Sequence, residues 1–236
     1  MDTQTRHALK GDKFAQAAAS SVNWFSGHRS GVVRAAITAG IVLVLALGAL
    51  IYWNVENSAA AEELGAALDI YTAPLAEPGV PPESGTYPNV ADRAKAANQA
   101  FAAVAQKYGW LPEGVKARYF AGVTDEDLGR NAAAETEFKA AAGSWNRNLS
   151  NLAKLALAGL YHQTGRDAQA IALYNGLVAK PSETVSAAVA DLDLGDLYAA
   201  EGKLQQARMT WAKVRDMDKD GAAGAIAAQK LTGNHP

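Results

Sequence analysis

The chain has 236 residues, of which 49% are hydrophobic and 19% charged, and this composition supports a packed core rather than a disordered tail. Residues 1–53 carry a formal charge of +3 and the remainder carries −5. The acidic remainder argues against nucleic acid as a partner, because binding a phosphate backbone requires a clustered basic face. The chain has no cysteine, which excludes disulfides, thiolate metal sites and cysteine nucleophiles.

The N-terminal tail, residues 1–32, is expected to lie in the cytoplasm. Phe14, Ala18, Val22 and Phe25 fall on one helical stripe. This stripe fits a helix that lies on the inner leaflet, and it fits equally a short helix with no role of its own.

The next segment, residues 33–53, predicts a single membrane crossing. The 19 residues from Ala35 to Trp53 carry no charge, and as a helix they span about 28 Å, close to the thickness of a bilayer core. Arg29 and Arg34 lie before the crossing, and no Lys or Arg follows it until Arg93. The positive-inside rule therefore predicts an inner-membrane protein with a cytoplasmic N-terminus and a periplasmic C-terminal domain.

Small residues at 58–61 offer a cleaved signal peptide as the alternative. That interpretation is disfavoured, because 34 residues precede the apolar segment and signal peptides have apolar cores of only about 7 to 15 residues. After the crossing, residues 54–90 combine a helix that reaches Tyr71 with a loop at 72–90. The loop holds five of the eight prolines and is expected to be extended.

Residues 91–236 read as consecutive helices of about 11 to 18 residues without any strand pattern. Gly122, Ala158 and Gly195 recur at intervals of 36 and 37 residues, and each is followed by aromatic and small residues at similar offsets. The spacing is that of a tetratricopeptide repeat. The sequence therefore predicts an all-α fold: an N-terminal transmembrane helix followed by a tetratricopeptide-like helical-hairpin solenoid, with residues 221–231 as a capping helix.

Small residues in this pattern let the two helices of a hairpin approach, and aromatic residues fill the space between hairpins. The residues predicted to pack the repeats are Gly122, Ala134, Phe138, Ala158, Tyr161, Ala170, Tyr174, Gly195, Tyr198, Ala207 and Trp211.

The stretch GDLYAAEGKLQQARMTWAKV, Gly195 to Val214, together with the short tail, single membrane helix and degenerate repeats, resembles the bacterial ancillary subunit of the Sec translocon. The resemblance in residues runs from Asn151 to Val214, and the resemblance in layout covers most of the chain. It implies a non-enzymatic protein beside the secretion channel whose partners are translocon subunits, periplasmic chaperones or exported proteins. A structural scaffold of another envelope assembly, for secretion, pili or division, is the alternative.

Stacked hairpins present the first helix of each pair along a groove. A residue on such a groove can contact a partner, but it can equally be an ordinary packing residue or part of a solvent-exposed helix face. The residues predicted to line this partner groove are Tyr119, Leu152, Leu155, His162, Gln163, Leu192 and Asp196.

No catalytic, cofactor-binding or metal-binding residues are predicted, and no small-molecule substrate. The four histidines are scattered, and HExxH, GxSxG and phosphate-loop motifs are absent from the sequence. Asp216, Asp218 and Asp220 alternate before Gly221 like the start of a calcium loop, but the bidentate Glu expected at the twelfth position is missing. An acidic loop that ends a helix is the favoured interpretation.

Overall fold

A computed structural model describes residues 29–77 and 83–233. The predicted apolar stripe from Phe14 to Phe25 lies outside these residues. The chain divides into two compact units, and the boundary lies between Val55 and Glu56.

All the helices and strands of the described part of the chain are α-helices, apart from one isolated bridge between Leu75 and Tyr87. Its nine helices are α1 (Arg29–Thr72), α2 (Val90–Lys107), α3 (Pro112–Asp127), α4 (Asn131–Ala142), α5 (Arg147–Gln163), α6 (Asp167–Ala179), α7 (Ala187–Ala200), α8 (Leu204–Met217) and α9 (Ala222–Thr232).

Helix α1 is a single helix of 44 residues that contains the uncharged segment. Residues 33–72 of this helix are long and apolar enough to cross a membrane. No residue of their most apolar segment is buried. Leu45, for example, keeps 68% of its surface exposed. By its length and composition, this segment fits a membrane crossing.

The proline-rich connection is closed at its two flanks rather than fully extended. Ala76 N–H donates to the carbonyl of Tyr87 at 2.8 Å, and Tyr87 N–H donates to Pro74 at 3.1 Å. The Arg93 guanidinium donates to the carbonyl of Ala73 at 2.9 Å, which ties the end of α1 to the first turn of α2. These bonds pair backbone groups at the two ends of the loop. They therefore hold the two ends of the loop next to each other.

Three of the helices start at a residue whose side chain caps them. Asn89 accepts a hydrogen bond from Asp92 N–H at the start of α2, Asn146 caps α5, and Ser186 caps α7. Each cap satisfies backbone N–H groups that have no partner within the helix. Pro112 occupies the first position of α3, where no backbone donor is needed.

Three apolar clusters form the core of the second unit, and they follow one another along the helices. The first joins the end of α1 to α2 and α3, the second runs from α4 to α7, and the third joins α7, α8 and α9. Aromatic rings connect the first two clusters, with Phe101 stacked on Phe120 at 5.2 Å and Tyr119 next to Phe138 at 5.9 Å. From α2 to α9 each helix packs on its neighbours in chain order, which is the organisation of a repeat array. The predicted all-α class is confirmed.

Candidate protein-interaction surface

A small residue in α3 or α7 meets an aromatic ring of the following helix. A Cβ atom added at Gly122 would lie 2.6 Å from the Phe138 ring, and one added at Gly195 would lie 2.6 Å from the Trp211 ring. The three hairpins are α3–α4, α5–α6 and α7–α8, and in the middle one the fully buried Ala158 occupies the corresponding position. The close approach of the paired helices therefore depends on a small residue in the first helix of each pair.

The structure places all the residues predicted for repeat packing inside the second unit. Ala134, Phe138, Ala158, Ala170 and Ala207 are completely buried, and the others are buried except Tyr198, which is half-buried. Apart from Gly122, those on α4, α5 and α6 share one apolar cluster, and Ala207 and Trp211 belong to the next.

The turn inside each hairpin repeats the same backbone geometry. Gly129, Gly165 and Gly202 have φ values of 69°, 72° and 75°, in the left-handed region that favours glycine. The residue after each glycine donates its N–H to a carbonyl five residues earlier, as Arg166 does to Tyr161 at 2.7 Å. This is the Schellman arrangement that ends a helix, and it repeats at the intervals of 36 and 37 residues seen in the sequence.

Polar contacts join the first hairpin, α3–α4, to the second, α5–α6. The Arg166 guanidinium donates to Glu135 at 2.7 Å and also lies over the Tyr161 ring at 4.3 Å. Lys139 is within 2.7 Å of the same carboxylate. Hydrogen bonds from Lys139 and Arg166 lower the pKa of Glu135 from 4.5 to about 2. Sequence periodicity missed this cluster, because its members come from three different helices or turns.

Five of the predicted groove residues lie on the neighbouring helices α3 and α5, which contact each other directly. Tyr119 and Leu155 are half-buried and pack on the same apolar cluster, together with Val123. Leu152 is also half-buried. Each of these side chains keeps part of its apolar surface accessible, as a docking surface requires.

The C-terminal ends of α3 and α5 add polar groups to this surface. Gln163 is exposed and donates a hydrogen bond to Glu126 at 2.7 Å. His162 lies 2.7 Å from Asp167, through Nδ1. We name the surface formed by Tyr119, Leu155 and Gln163 the α3–α5 groove.

The other two predicted groove residues, Leu192 and Asp196 on α7, contact the C-terminal helices α8 and α9. Leu192 is only 8% exposed, within the cluster that joins α7, α8 and α9. Asp196 accepts a hydrogen bond from Trp211 Nε1 at 2.9 Å and pairs with Lys230 of α9 at 3.1 Å. Helix α9 packs on both α7 and α8, and it supplies the cation that engages Asp196.

Burial also raises the pKa of the neighbouring Asp193 to about 6, with a further contribution from the negative charge of Asp196.

Asp218, in the predicted acidic loop, accepts a hydrogen bond from Gly224 N–H at 3.1 Å and so joins the start of α9. Among the described residues no group of three or more His, Cys, Asp or Glu side chains is placed to hold a metal ion.

Comparison with protein families identifies one match. The family model described as a tetratricopeptide repeat-like domain matches residues 33–233, a range that includes the apolar part of α1 as well as all the repeats. The comparisons found no curated protein and no solved structure that matches the chain. Repeats of this kind are protein-interaction modules that are generally not catalytic. The chain belongs to the family of tetratricopeptide repeat-like domains.

Proposed function

We propose that this protein is a non-enzymatic interaction protein, held at the inner membrane by α1, that assists exported proteins as an ancillary subunit of the Sec translocon. The observation that carries the proposal is the combination, in one family match, of an exposed apolar helix and a repeat array. An array of this kind offers a long surface for polypeptides, and the helix would keep that surface at the site of export.

The α3–α5 groove is the proposed contact surface for these polypeptides. Tyr119 and Leu155 offer apolar area, and Gln163 offers an amide that can exchange its bond with Glu126 for one with a partner. A mixed apolar and polar surface suits weak binding to many unfolded clients, because no single side chain dictates their sequence. The partly exposed Tyr119 is also of the residue type that most often anchors interfaces.

The orientation is proposed from charge. Arg29 and Arg34 flank the N-terminal end of the apolar segment, and the first basic residue after it is Arg93. Because the chain lacks cysteine, a Lys219→Cys variant carries one thiol in an exposed loop. We expect a membrane-impermeant maleimide to label it in cells whose outer membrane alone has been opened. Labelling only after the inner membrane is broken would contradict the orientation.

The partner is tested by brief crosslinking in cells, purification of the intact protein in mild detergent and mass spectrometry. We expect translocon subunits, periplasmic chaperones or exported proteins among the products. A Leu155→Ala variant should recover fewer exported proteins. Ile171→Ala is the matched control, because Ile171 is also half-buried and packs on the same cluster from α6.

Two outcomes would contradict the proposal. Recovery of one envelope complex in fixed stoichiometry, without translocon subunits, would replace it with a structural scaffold. Equal losses for Leu155→Ala and Ile171→Ala would mean that stability, rather than the groove, determines client recovery.

A further inference from the structure

A second surface lies on a different face of α5. A cavity of about 470 Å³ opens where the α4–α5 connection meets the first turns of α5 and the end of α6. Arg147, Ser150, Asn151 and Lys154 line it from α5. Their spacing puts them on one helix face, and Leu155 of the α3–α5 groove does not line the cavity.

Three cations surround this cavity: Arg147, Lys154 and Lys180. In the described ranges none of the three side chains has an ion pair or a hydrogen bond, whereas most other cations of the second unit are paired with acids. Glu183, in the connection after α6, is bound instead to the Asn148 side chain at 3.2 Å. Three unneutralised positive charges around one cavity favour a ligand with several negative charges.

Trp145 forms the rim of the cavity and is 82% exposed. This exposure exceeds the 68% of Val44 and Leu45, the most exposed large apolar side chains of the membrane segment. Indole rings are rarely left this open, and they are the side chains that contribute most when an interface covers them. The ligand therefore has an apolar part as well as charges.

The polar groups of the cavity floor already have partners. Ser150 donates a hydrogen bond to the carbonyl of Ala142 at 2.6 Å. Asn151 donates to the carbonyl of Lys180 at 2.9 Å. The groups left for a ligand are the three cations and the indole ring. A small anion satisfies the charges but leaves the ring in water, whereas an acidic peptide with an apolar side chain covers both.

We propose that this cavity, the Trp145 cavity, binds an extended acidic polypeptide segment, with its carboxylates at Arg147, Lys154 and Lys180 and an apolar side chain against Trp145. The proposal goes beyond the function proposed above, because it concerns a separate face of α5. It does not depend on which protein occupies the α3–α5 groove.

The test measures binding of a short fluorescein-labelled peptide, rich in Asp and Glu with two Leu residues, to the full chain in phosphatidylcholine nanodiscs. A neutral peptide with Asn and Gln in place of the acids is its control. The triple variant Arg147→Gln, Lys154→Gln, Lys180→Gln should weaken binding on the order of tenfold, as expected for losing three exposed ion pairs. Higher salt should weaken wild-type binding in the same direction.

A matched triple variant removes the same charges elsewhere. Lys95, Arg208 and Lys219 are exposed cations, also without ion pairs in the described ranges, and their replacement by Gln should leave peptide binding unchanged. Trp145→Ala should weaken binding without altering its salt dependence. Leu155→Ala should have no effect on this peptide, which separates failure of this proposal from failure of the groove.

Three outcomes would overturn the proposal. The first is equal binding of the acidic and neutral peptides, and the second is equal weakening by both triple variants. The third concerns lipid. If a bimane dye on Ser144→Cys shifts to the blue when phosphatidylglycerol is added to the nanodiscs, and the acidic peptide does not bind, the cavity serves an anionic membrane surface instead.

Discussion

The contact between Gly195 and Trp211 gives a prediction whose sign depends on the repeat geometry. A Cβ atom at position 195 would lie 2.6 Å from both Cδ1 and Nε1 of the indole, whereas ordinary contact begins at 3.4 Å. Gly195→Ala therefore requires the ring to move. The ring is held, because its Nε1 donates to Asp196 at 2.9 Å and the ring is buried in the cluster that joins α7, α8 and α9.

Overpacking of this kind costs about 1 to 3 kcal/mol. Replacing a helical glycine with alanine returns up to about 1 kcal/mol through helix propensity. We therefore expect Gly195→Ala to lower the free energy of unfolding by about 1 to 2 kcal/mol. For a folded unit of this size the melting temperature should fall by about 2 to 8 °C.

Gly159→Ala is the matched control in α5, because no atom lies within 4 Å of the added Cβ. Only the propensity gain remains there, so we expect stabilisation by about 0.5 to 1 kcal/mol. Thermal unfolding of both variants, followed by far-ultraviolet circular dichroism of the full chain in detergent, compares the two signs. A neutral or stabilising Gly195→Ala would refute the close approach of α7 and α8.

Three further predictions concern charged groups. Glu135→Gln should destabilise the protein by about 1 to 2 kcal/mol at neutral pH; because the folded pKa is lowered to about 2, this difference should shrink as the pH of the unfolding experiment falls from 4.5 towards 2. Asp193→Asn should stabilise the protein by about 1 to 2 kcal/mol above pH 6; the folded pKa is raised to about 6 from 3.8, so a gain that persists below pH 3.8 would contradict the assignment. Asp196→Ala should cost about 1 to 3 kcal/mol in urea unfolding, because Trp211 Nε1 loses its acceptor; an unchanged midpoint would contradict that bond.

Repetition made the helical pairs predictable. A small residue in one helix and an aromatic residue in the next recur at fixed intervals, so Gly122 with Phe138 and Gly195 with Trp211 stand out in the sequence and meet in the structure. Helix boundaries were predictable for the same reason, because glycines such as Gly165 and Gly202 adopt a left-handed backbone that other residues avoid.

The contacts that Leu192 and Asp196 make with the C-terminal helix were not predictable from repeat spacing. Leu192 and Asp196 hold groove positions in the pattern, but α9 contributes Lys230 to Asp196 and shares a cluster with Leu192. A terminal helix has no following repeat to show where it packs. The Trp145 cavity was missed for a related reason, since Trp145 and Lys180 lie in connections whose positions depend on the fold.

The interaction function is tested most directly by photo-crosslinking in growing cells from a benzoylphenylalanine placed at Gln163. The matched control is the same substitution at Gln169. Both residues are exposed glutamines, one on α5 at the α3–α5 groove and the other on α6. We predict crosslinks from position 163 to exported proteins, translocon subunits or periplasmic chaperones, and few from position 169. Equal crosslinking from both positions, or products from position 163 that are only cytoplasmic proteins, would contradict the account.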